Sequence, residues 1–193
     1  MKVLGISGSM RRESHNRRLL LEAAELLPPG TEVELYDELK SVPPYDEDDD
    51  TGSEAGAGEA DAVVRRLRDA VARADAILIA TPEYNSSVPG QLKNAIDWAS
   101  RPRSAPALLG KPVAVIGTST GSFGGVWAQA ELRKVLRTAG ARVVEGEVSV
   151  PRAHVRLAED GRLLDDELRE RAQVLLDELL AEARPASLVV AAA

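Results

Sequence analysis

The sequence contains no cysteine in its 193 residues. A disulfide framework, a thiolate nucleophile and a sulfur-ligated zinc or iron–sulfur centre are therefore excluded. If this chain performs redox chemistry, it needs a cofactor from outside the sequence.

Positive charge and long apolar runs are also scarce. The formal net charge is -7 and the sequence pI is about 5.0, which argues against a nucleic-acid partner because binding a phosphate backbone requires a basic face. No apolar run approaches the roughly 18 residues that span a bilayer, and the N-terminus runs into Gly and Ser without a long apolar core. We therefore expect no membrane partner and a cytoplasmic location.

Short apolar runs alternate with longer helical patterns along the chain. Residues 76–80 and 112–116 are continuously apolar, as expected of strands covered on both faces. Further strands are predicted at 2–6, at 32–35 and, with an interruption, at 142–150. The alternation predicts an α/β fold, with a mainly parallel sheet and helices on both faces. We expect one domain over residues 1–185 and a frayed tail at 186–193.

Three helices are predicted from apolar stripes at helical spacing. The stripes consist of Leu92, Ala95, Ile96 and Ala99; of Leu132, Val135, Leu136 and Ala139; and of Leu168, Ala172, Leu175, Leu176 and Leu179. Residues 43–59 are rich in Asp, Glu, Gly and Pro and read as a solvated loop. The acidic run Asp46 to Asp50 lacks turn glycines at ligand spacing, so a charge run is favoured over a metal site and no metal is predicted.

The loop after the first predicted strand reverses the charge of the chain. Residues 7–18 hold four arginines, one histidine, three serines and one asparagine against a single acid. Feeding a helix N-terminus, such a loop suits a phosphate. Because the fingerprints of dinucleotide and triphosphate loops are absent, a flavin monophosphate is favoured. The alternative is an arginine-rich solvated helix start capped by Ser14 or Asn16.

Two later loops follow buried strands and would open at the same edge of the sheet. Residues 81–90 carry prolines near both ends, a tyrosine and an asparagine, which suits the donor and acceptor edge of a flat heterocycle such as flavin; an ordinary capped turn is the alternative. Residues 117–125 are rich in glycine, so the backbone can approach a ring closely. Aromatic residues form only 3% of the chain, yet Tyr84, Phe123 and Trp127 fall in or beside these loops. Phe123 or Trp127 can cover a ring, although buried packing of Trp127 is equally open.

These segments together resemble the NADPH-dependent FMN reductase family, which includes bacterial quinone, chromate and azo-dye reductases. The resemblance covers nearly the whole chain. It rests on Gly8-Ser9-Met10-Arg11 with Ser14 and Asn16, on Thr81-Pro82-Glu83-Tyr84-Asn85 continuing through 89–98, and on Ser119-Thr120-Gly121 with Gly124-Gly125. It implies a flavodoxin-like three-layer sandwich with a five-stranded parallel sheet in the order 2-1-3-4-5.

The resemblance also implies positions for the cofactor. The FMN phosphate would be held by Ser9, Arg11, Ser14, His15 and Asn16. The edge of the isoalloxazine would be held by Pro82, Glu83, Tyr84 and Asn85, and its other flank by Ser119, Thr120, Gly121 and Ser122.

The activity implied is electron transfer from NADPH or NADH through bound FMN to a small acceptor such as a quinone, chromate, an azo compound or free flavin. Because the cofactor performs this chemistry, no catalytic acid or base is assigned. Family members are commonly dimers or dimers of dimers, so a homodimer or homotetramer is expected, with Trp98 at or near the contact.

Two rival functions remain open at this point. Gly117-Thr118-Ser119-Thr120-Gly121 matches the nucleophile elbow of α/β-hydrolases, with Ser119 and His154 as catalytic residues. Against it, residues 122–125 prolong the loop where a hydrolase enters its helix at once. The second rival is an electron carrier that binds FMN but reacts only with protein partners.

Overall fold

A parallel sheet forms the centre of the computed structural model, which describes residues 1–50 and 59–184. Its strands are β1 (Lys2–Ser7), β2 (Glu32–Tyr36), β3 (Ala76–Thr81), β4 (Pro112–Thr118), β5 (Arg142–Val143) and β6 (Val148–Val150). They follow the order β2-β1-β3-β4-β5, and β6 also pairs with β4. Every pairing is parallel. The predicted order is confirmed.

The strand predicted at 142–150 is interrupted, as expected, and it becomes two short strands that pair with different parts of β4. The interruption contains Gly146. A Cβ at this glycine would lie 2.7 Å from Leu175 Cδ1, so the missing side chain allows the backbone to approach the last helix closely.

Helices connect the strands and cover both faces of the sheet. They are α1 (His15–Glu25), α2 (Glu59–Arg73), α3 (Gly90–Ala99), α4 (Val126–Thr138), α5 (Ala153–Arg156) and α6 (Asp166–Ala183), with a 3₁₀ turn at Leu39–Ser41. The three predicted stripes lie on α3, α4 and α6. Their members are buried except for Val135 and Ala139, which are half-buried.

The sheet separates two apolar cores. Alternate residues of β3 point to opposite faces: Ile77 and Ile79 pack with α2, α3 and α4, whereas Leu78 and Ala80 pack with α1 and α6. This gives the three layers that the sequence predicts.

The order in which the chain adds strands to the sheet reverses beside β1. The chain leaves β1 for β2 on one side and then crosses to β3 on the other. Ligands of such sheets bind outside the carboxyl ends of the strands at this switch point. The loops after β1, β3 and β4 all lie at that edge.

Trp98 does not lie on the surface. Its side chain is 3% exposed, its Nε1–H donates to the Pro43 carbonyl at 2.9 Å, and the Tyr45 ring packs edge-on against it at 4.9 Å. The Trp98 ring is therefore not available as a direct subunit contact, and a position near such a contact stays a prediction. That prediction was drawn from residue type, and the partners that bury this ring come from a segment about fifty residues away.

Two sequence predictions concern segments that lie partly or wholly outside the residues that the structure describes. Residues 51–58 of the predicted solvated loop and the predicted tail at 186–193 lie outside the described residues. Within residues 1–50 and 59–184, no helix combines the length and apolarity needed to cross a bilayer. The same ranges contain no cluster of three or more His, Asp or Glu side chains that could hold a metal ion.

Adjacent leucines on α1 give a matched test of this packing. Leu20 is 1% exposed, whereas Leu21 is 42% exposed. Leu20→Ala should lower the free energy of unfolding by about 3 kcal/mol, because it removes buried methyl groups and leaves a cavity. Leu21→Ala should change it by less than about 1 kcal/mol. Equal decreases in the free energy of unfolding of the two variants, measured with urea, would contradict this orientation of α1.

Candidate functional site

An open cleft of about 120 Å³ lies where the three loops meet. It is smaller than the roughly 300 to 1,000 Å³ of pockets that enclose a ligand, so any larger ligand must extend beyond it. Its lining consists of Ser9, Arg11, Ser14, His15, Asn16, Pro82, Glu83, Tyr84, Thr118, Ser119 and Thr120.

The cleft brings together most residues that the sequence predicts for the site, with four differences. Thr118 was missed, because it reads as the end of a buried strand. Asn85, Gly121 and Ser122 do not line the cleft. All three are exposed, and each lies in a loop beyond the residues that face inward.

The first loop ends in a capped helix. Ser14 Oγ accepts a hydrogen bond from the Arg17 backbone N–H at 3.2 Å, so Ser14 is the N-cap of α1. The first turn of α1 contains no acidic residue. The positive end of the helix therefore faces the cleft without a carboxylate of its own helix to neutralise it.

The four arginines of this loop differ in their surroundings. Arg17 forms an ion pair with Asp37 and Arg18 with Glu13. Arg11 lines the cleft, and its guanidinium has no hydrogen bond or ion pair to any residue in the described ranges. Arg12 is exposed and does not line the cleft. Of the four, Arg11 is thus the cation that lies at the cleft without an ion pair to a described residue.

His15 carries a buried nitrogen that lacks a partner. Its Nδ1 has no hydrogen bond to any described residue. Burial lowers the pKa of His15 below its usual 6.5, and the nearby Arg18, Arg11 and His154 lower it further. The imidazole is therefore neutral at neutral pH, and its unpaired nitrogen faces an electropositive surrounding.

Asn16 joins the first loop to the end of β4. Its Nδ2 donates to the Thr118 carbonyl at 2.9 Å, and its Oδ1 accepts from the Thr118 N–H at 3.0 Å. Asn16 is 4% exposed and Thr118 is 1% exposed. The side chain therefore satisfies both backbone groups of a buried strand end, a role that the sequence pattern did not reveal.

The second loop is a tight hairpin. Tyr84 and Ser87 exchange two backbone hydrogen bonds of 3.1 Å. The two residues between them, Asn85 and Ser86, have φ values of 52° and 61°. Such positive values are typical of a type I′ turn, whose twist matches an antiparallel pair.

Two glutamates tie this hairpin to α4. The Glu83 carboxylate accepts from the backbone N–H groups of Trp127 and Ala128, each at 3.0 Å, in the first turn where the helix dipole favours an anion. In the other direction, Glu131 of α4 accepts from the Ser87 hydroxyl at 2.6 Å. The second loop is thereby held against the helix that follows the third loop.

The third loop is fixed by the segment that follows β6. Backbone N–H groups of Arg152 and Ala153 donate to the carbonyls of Gly121 at 2.8 Å and Ser119 at 2.9 Å. Gly124 has a φ of 65°, and a Cβ there would lie 2.7 Å from the Val150 nitrogen. Only glycine fits this position, because both the backbone angle and the space exclude a side chain.

The geometry does not support a serine hydrolase. The predicted nucleophile Ser119 lies seven residues before α4, which begins at Val126. In the described parts of the chain, no hydrogen bond joins Ser119 to His154, which is exposed on α5. A nucleophile elbow requires an immediate helix and a base within reach.

Comparison with known proteins decides the family. A sequence model described as NADPH-dependent FMN reductase matches residues 1–155. The chain belongs to this family. The three loops of the cleft all lie inside the matched range.

Individual relatives extend over most of the chain. An NAD(P)H-dependent FMN reductase of Pseudomonas aeruginosa is 45% identical over 93% of both chains. A 2-hydroxy-1,4-benzoquinone reductase of Burkholderia sp. is 35% identical, over 95% of this chain and 97% of the relative. Among solved structures, the flavoenzyme NAD(P)H:(acceptor) oxidoreductase FerB of Paracoccus denitrificans superposes with a TM-score of 0.82 at 35% identity, covering 94% and 96% of the two chains.

The pairing of the Asn16 amide with the Thr118 backbone can be tested by replacing the amide NH2 group with an oxygen. Asn16→Asp replaces the Nδ2 donor with an oxygen facing the Thr118 carbonyl, and it buries a charge. We expect the free energy of unfolding to fall by about 3 kcal/mol. Asn85→Asp makes the same change at an exposed turn and should cost about 0.5 kcal/mol or less. Thermal unfolding of both variants measures the difference in their stability, and comparable midpoints would argue against a stabilising pairing of Asn16 with Thr118.

The lowered pKa of His15 predicts a pH dependence of stability. Below pH 6.5 the unfolded chain protonates His15 more readily than the folded protein does, so stability falls as the pH drops. His15→Gln should remove part of this slope in urea unfolding between about pH 7.5 and 5.5. His154→Gln, at an exposed position, should retain most of it. If the His15 variant keeps the same dependence of stability on pH, the lowered pKa of His15 in the folded protein is contradicted.

Proposed function

We propose that the chain is an NAD(P)H-dependent reductase that holds FMN with its phosphate in the cleft and passes electrons to a quinone. The observation that carries this proposal is the set of unsatisfied anion-binding groups at the start of α1. Membership of the NADPH-dependent FMN reductase family and the names of its relatives support it.

The residues of the cleft fit a phosphate. The buried Nδ1 of His15 lacks a hydrogen-bond partner among the described residues, and the Arg11 guanidinium is free of ion pairs there. Ser14 uses its hydroxyl oxygen as an acceptor in the cap, which leaves its O–H to donate. A phosphate would supply acceptors to all three groups and would meet the positive end of α1.

The remaining cleft residues would divide between the two flanks of the flavin ring. Pro82, Glu83 and Tyr84, from the second loop, would hold one flank, and Ser119 and Thr120, from the third loop, would hold the other. Ser9 would lie with Arg11 at the phosphate. Asn16 serves by holding α1 against β4, since its amide is occupied by Thr118. Contacts of Asn85, Gly121 and Ser122 with FMN stay predictions.

Bound FMN would supply the redox chemistry, by accepting a hydride from NAD(P)H and passing the electrons on. The protein binds and orients it. Glu83 is held by the N–H groups of Trp127 and Ala128, so its side chain keeps a fixed position. No side chain is needed as a general acid or base.

A quinone is the proposed acceptor because two kinds of relative are named for quinone reduction. Chromate, azo compounds and free flavin are the other acceptors expected from the sequence, and either NADPH or NADH serves as donor. We also propose one flavin-binding domain over residues 1–185 and assembly as a homodimer or homotetramer. The assembly rests on family resemblance alone.

Arg11→Ala should weaken FMN binding by about 1.5 to 3 kcal/mol, the size of a lost charged hydrogen bond. Arg18→Ala is the matched control, because Arg18 is paired with Glu13, and it should change binding far less. The measurement is quenching of FMN fluorescence on titration with apoprotein. Riboflavin, which lacks the phosphate, should bind more weakly than FMN. Equal affinities for the two flavins would contradict a phosphate-binding site in the cleft.

The same preparation tests the reaction. FMN-loaded protein should oxidise NADPH or NADH when a small quinone is present, and loss of this activity on removal of FMN is expected. Tight FMN binding without oxidation of either donor would instead indicate an electron carrier. An esterase activity that disappears in Ser119→Ala would overturn the reductase proposal.

A further inference from the structure

Two aromatic rings stand in solvent on the third loop and the start of α4. Phe123 is 62% exposed and Trp127 is 47% exposed. Their ring centroids lie 4.8 Å apart with the planes tilted by 59°, which is a favourable arrangement for aromatic pairs. Phe123 is the only phenylalanine in the chain and Trp127 is one of two tryptophans. Core packing does not account for their placement.

The pair is fixed next to the cleft. The Trp127 backbone N–H donates to the carboxylate of Glu83, which lines the cleft. On the other side, Phe123 follows the cleft residue Thr120 by three positions. Tyr84, which also lines the cleft, is 46% exposed. Exposed aromatic side chains are therefore carried by two of the loops that border the candidate cofactor site.

We propose that Phe123 and Trp127 form an aromatic rim that binds the ring of planar aromatic acceptors and so favours quinones over non-aromatic acceptors such as chromate. The inference rests on the proposed function, since it assumes that FMN occupies the cleft. The small volume of the cleft requires a larger ligand to extend beyond it, and the rim belongs to the loop that follows the cleft residue Thr120. A flat ring can stack on the face of one of the two tilted rings and meet the edge of the other, whereas a compact, hydrated oxyanion has no surface to stack and gains nothing from an apolar rim.

The polar surroundings of the pair support an uncharged planar ligand. Glu83 is the one charged residue of the second loop, and its carboxylate accepts hydrogen bonds from two backbone N–H groups of α4. A negative charge beside the rim opposes the approach of a dianion such as chromate. It does not oppose a neutral quinone.

Binding to the oxidised, FMN-loaded protein tests the rim without turnover. Titration calorimetry with 1,4-naphthoquinone, in the absence of NAD(P)H, should show affinity reduced about tenfold in Phe123→Ala and in Trp127→Ala, equivalent to about 1.4 kcal/mol. Trp127→Phe should restore most of the affinity. Leu109→Ala, which removes a 65% exposed side chain elsewhere, is the control and should bind like the unaltered protein.

Steady-state rates and light scattering complete the test. At saturating donor, KM for the quinone should rise about tenfold in the two alanine variants, while FMN affinity and kcat/KM for chromate stay within about twofold. Unchanged quinone affinity would overturn the proposal. So would a reduced quinone affinity accompanied by a shift from a larger assembly to the 20.6 kDa subunit mass, because the rim would then act as a subunit contact. Failure of the unaltered protein to bind FMN would refute the proposed function itself, a different outcome from either.

Discussion

The amide of Asn16 is the interaction on which the geometry of the cleft depends. It holds the N-terminus of α1 against the carboxyl end of β4 by pairing with both backbone groups of Thr118. Without that pairing, a buried strand end would keep an unsatisfied donor and acceptor. With it, the positive end of α1, the Ser14 cap and His15 are fixed beside the third loop rather than left at the end of a mobile segment.

A second set of contacts extends this constraint to the hairpin after β3. Glu83 reaches from the hairpin to the first turn of α4, and Glu131 reaches from α4 back to Ser87. The second and third loops thus share one anchoring helix. The protein places its polar groups before any ligand arrives, which reduces the ordering that binding must cost. This pre-organisation suits a chain whose cofactor performs the chemistry.

Much of this arrangement could be predicted from the sequence. The apolar runs of β3 and β4 and the stripes of α3, α4 and α6 follow from local periodicity, which the sheet and its two cores preserve. The charge reversal of the first loop likewise predicts an anion site there, because helix N-termini bind anions through local geometry; the choice of Arg11 and Ser14 comes from the family resemblance.

The remaining features depend on residues far apart in the chain. Asn16 pairs with a residue 102 positions away, and Glu83 caps a helix 44 positions later. Neither partner can be chosen before the strand order is known. The same limitation explains Trp98, whose ring type suggested a contact surface but whose indole finds its acceptor at Pro43. Residue type indicated that these side chains matter, and the tertiary structure determined what each of them does.

A structure determined from crystals of the protein soaked with FMN tests the phosphate site most directly. The phosphate is expected at the start of α1, within hydrogen-bonding distance of Arg11, the Ser14 hydroxyl and His15 Nδ1, with the flavin ring between Tyr84 and the loop that carries Ser119. Asn16 should remain paired with Thr118. A phosphate bound elsewhere, or a flavin that displaces Asn16 from Thr118 to reach its phosphate, would contradict this placement.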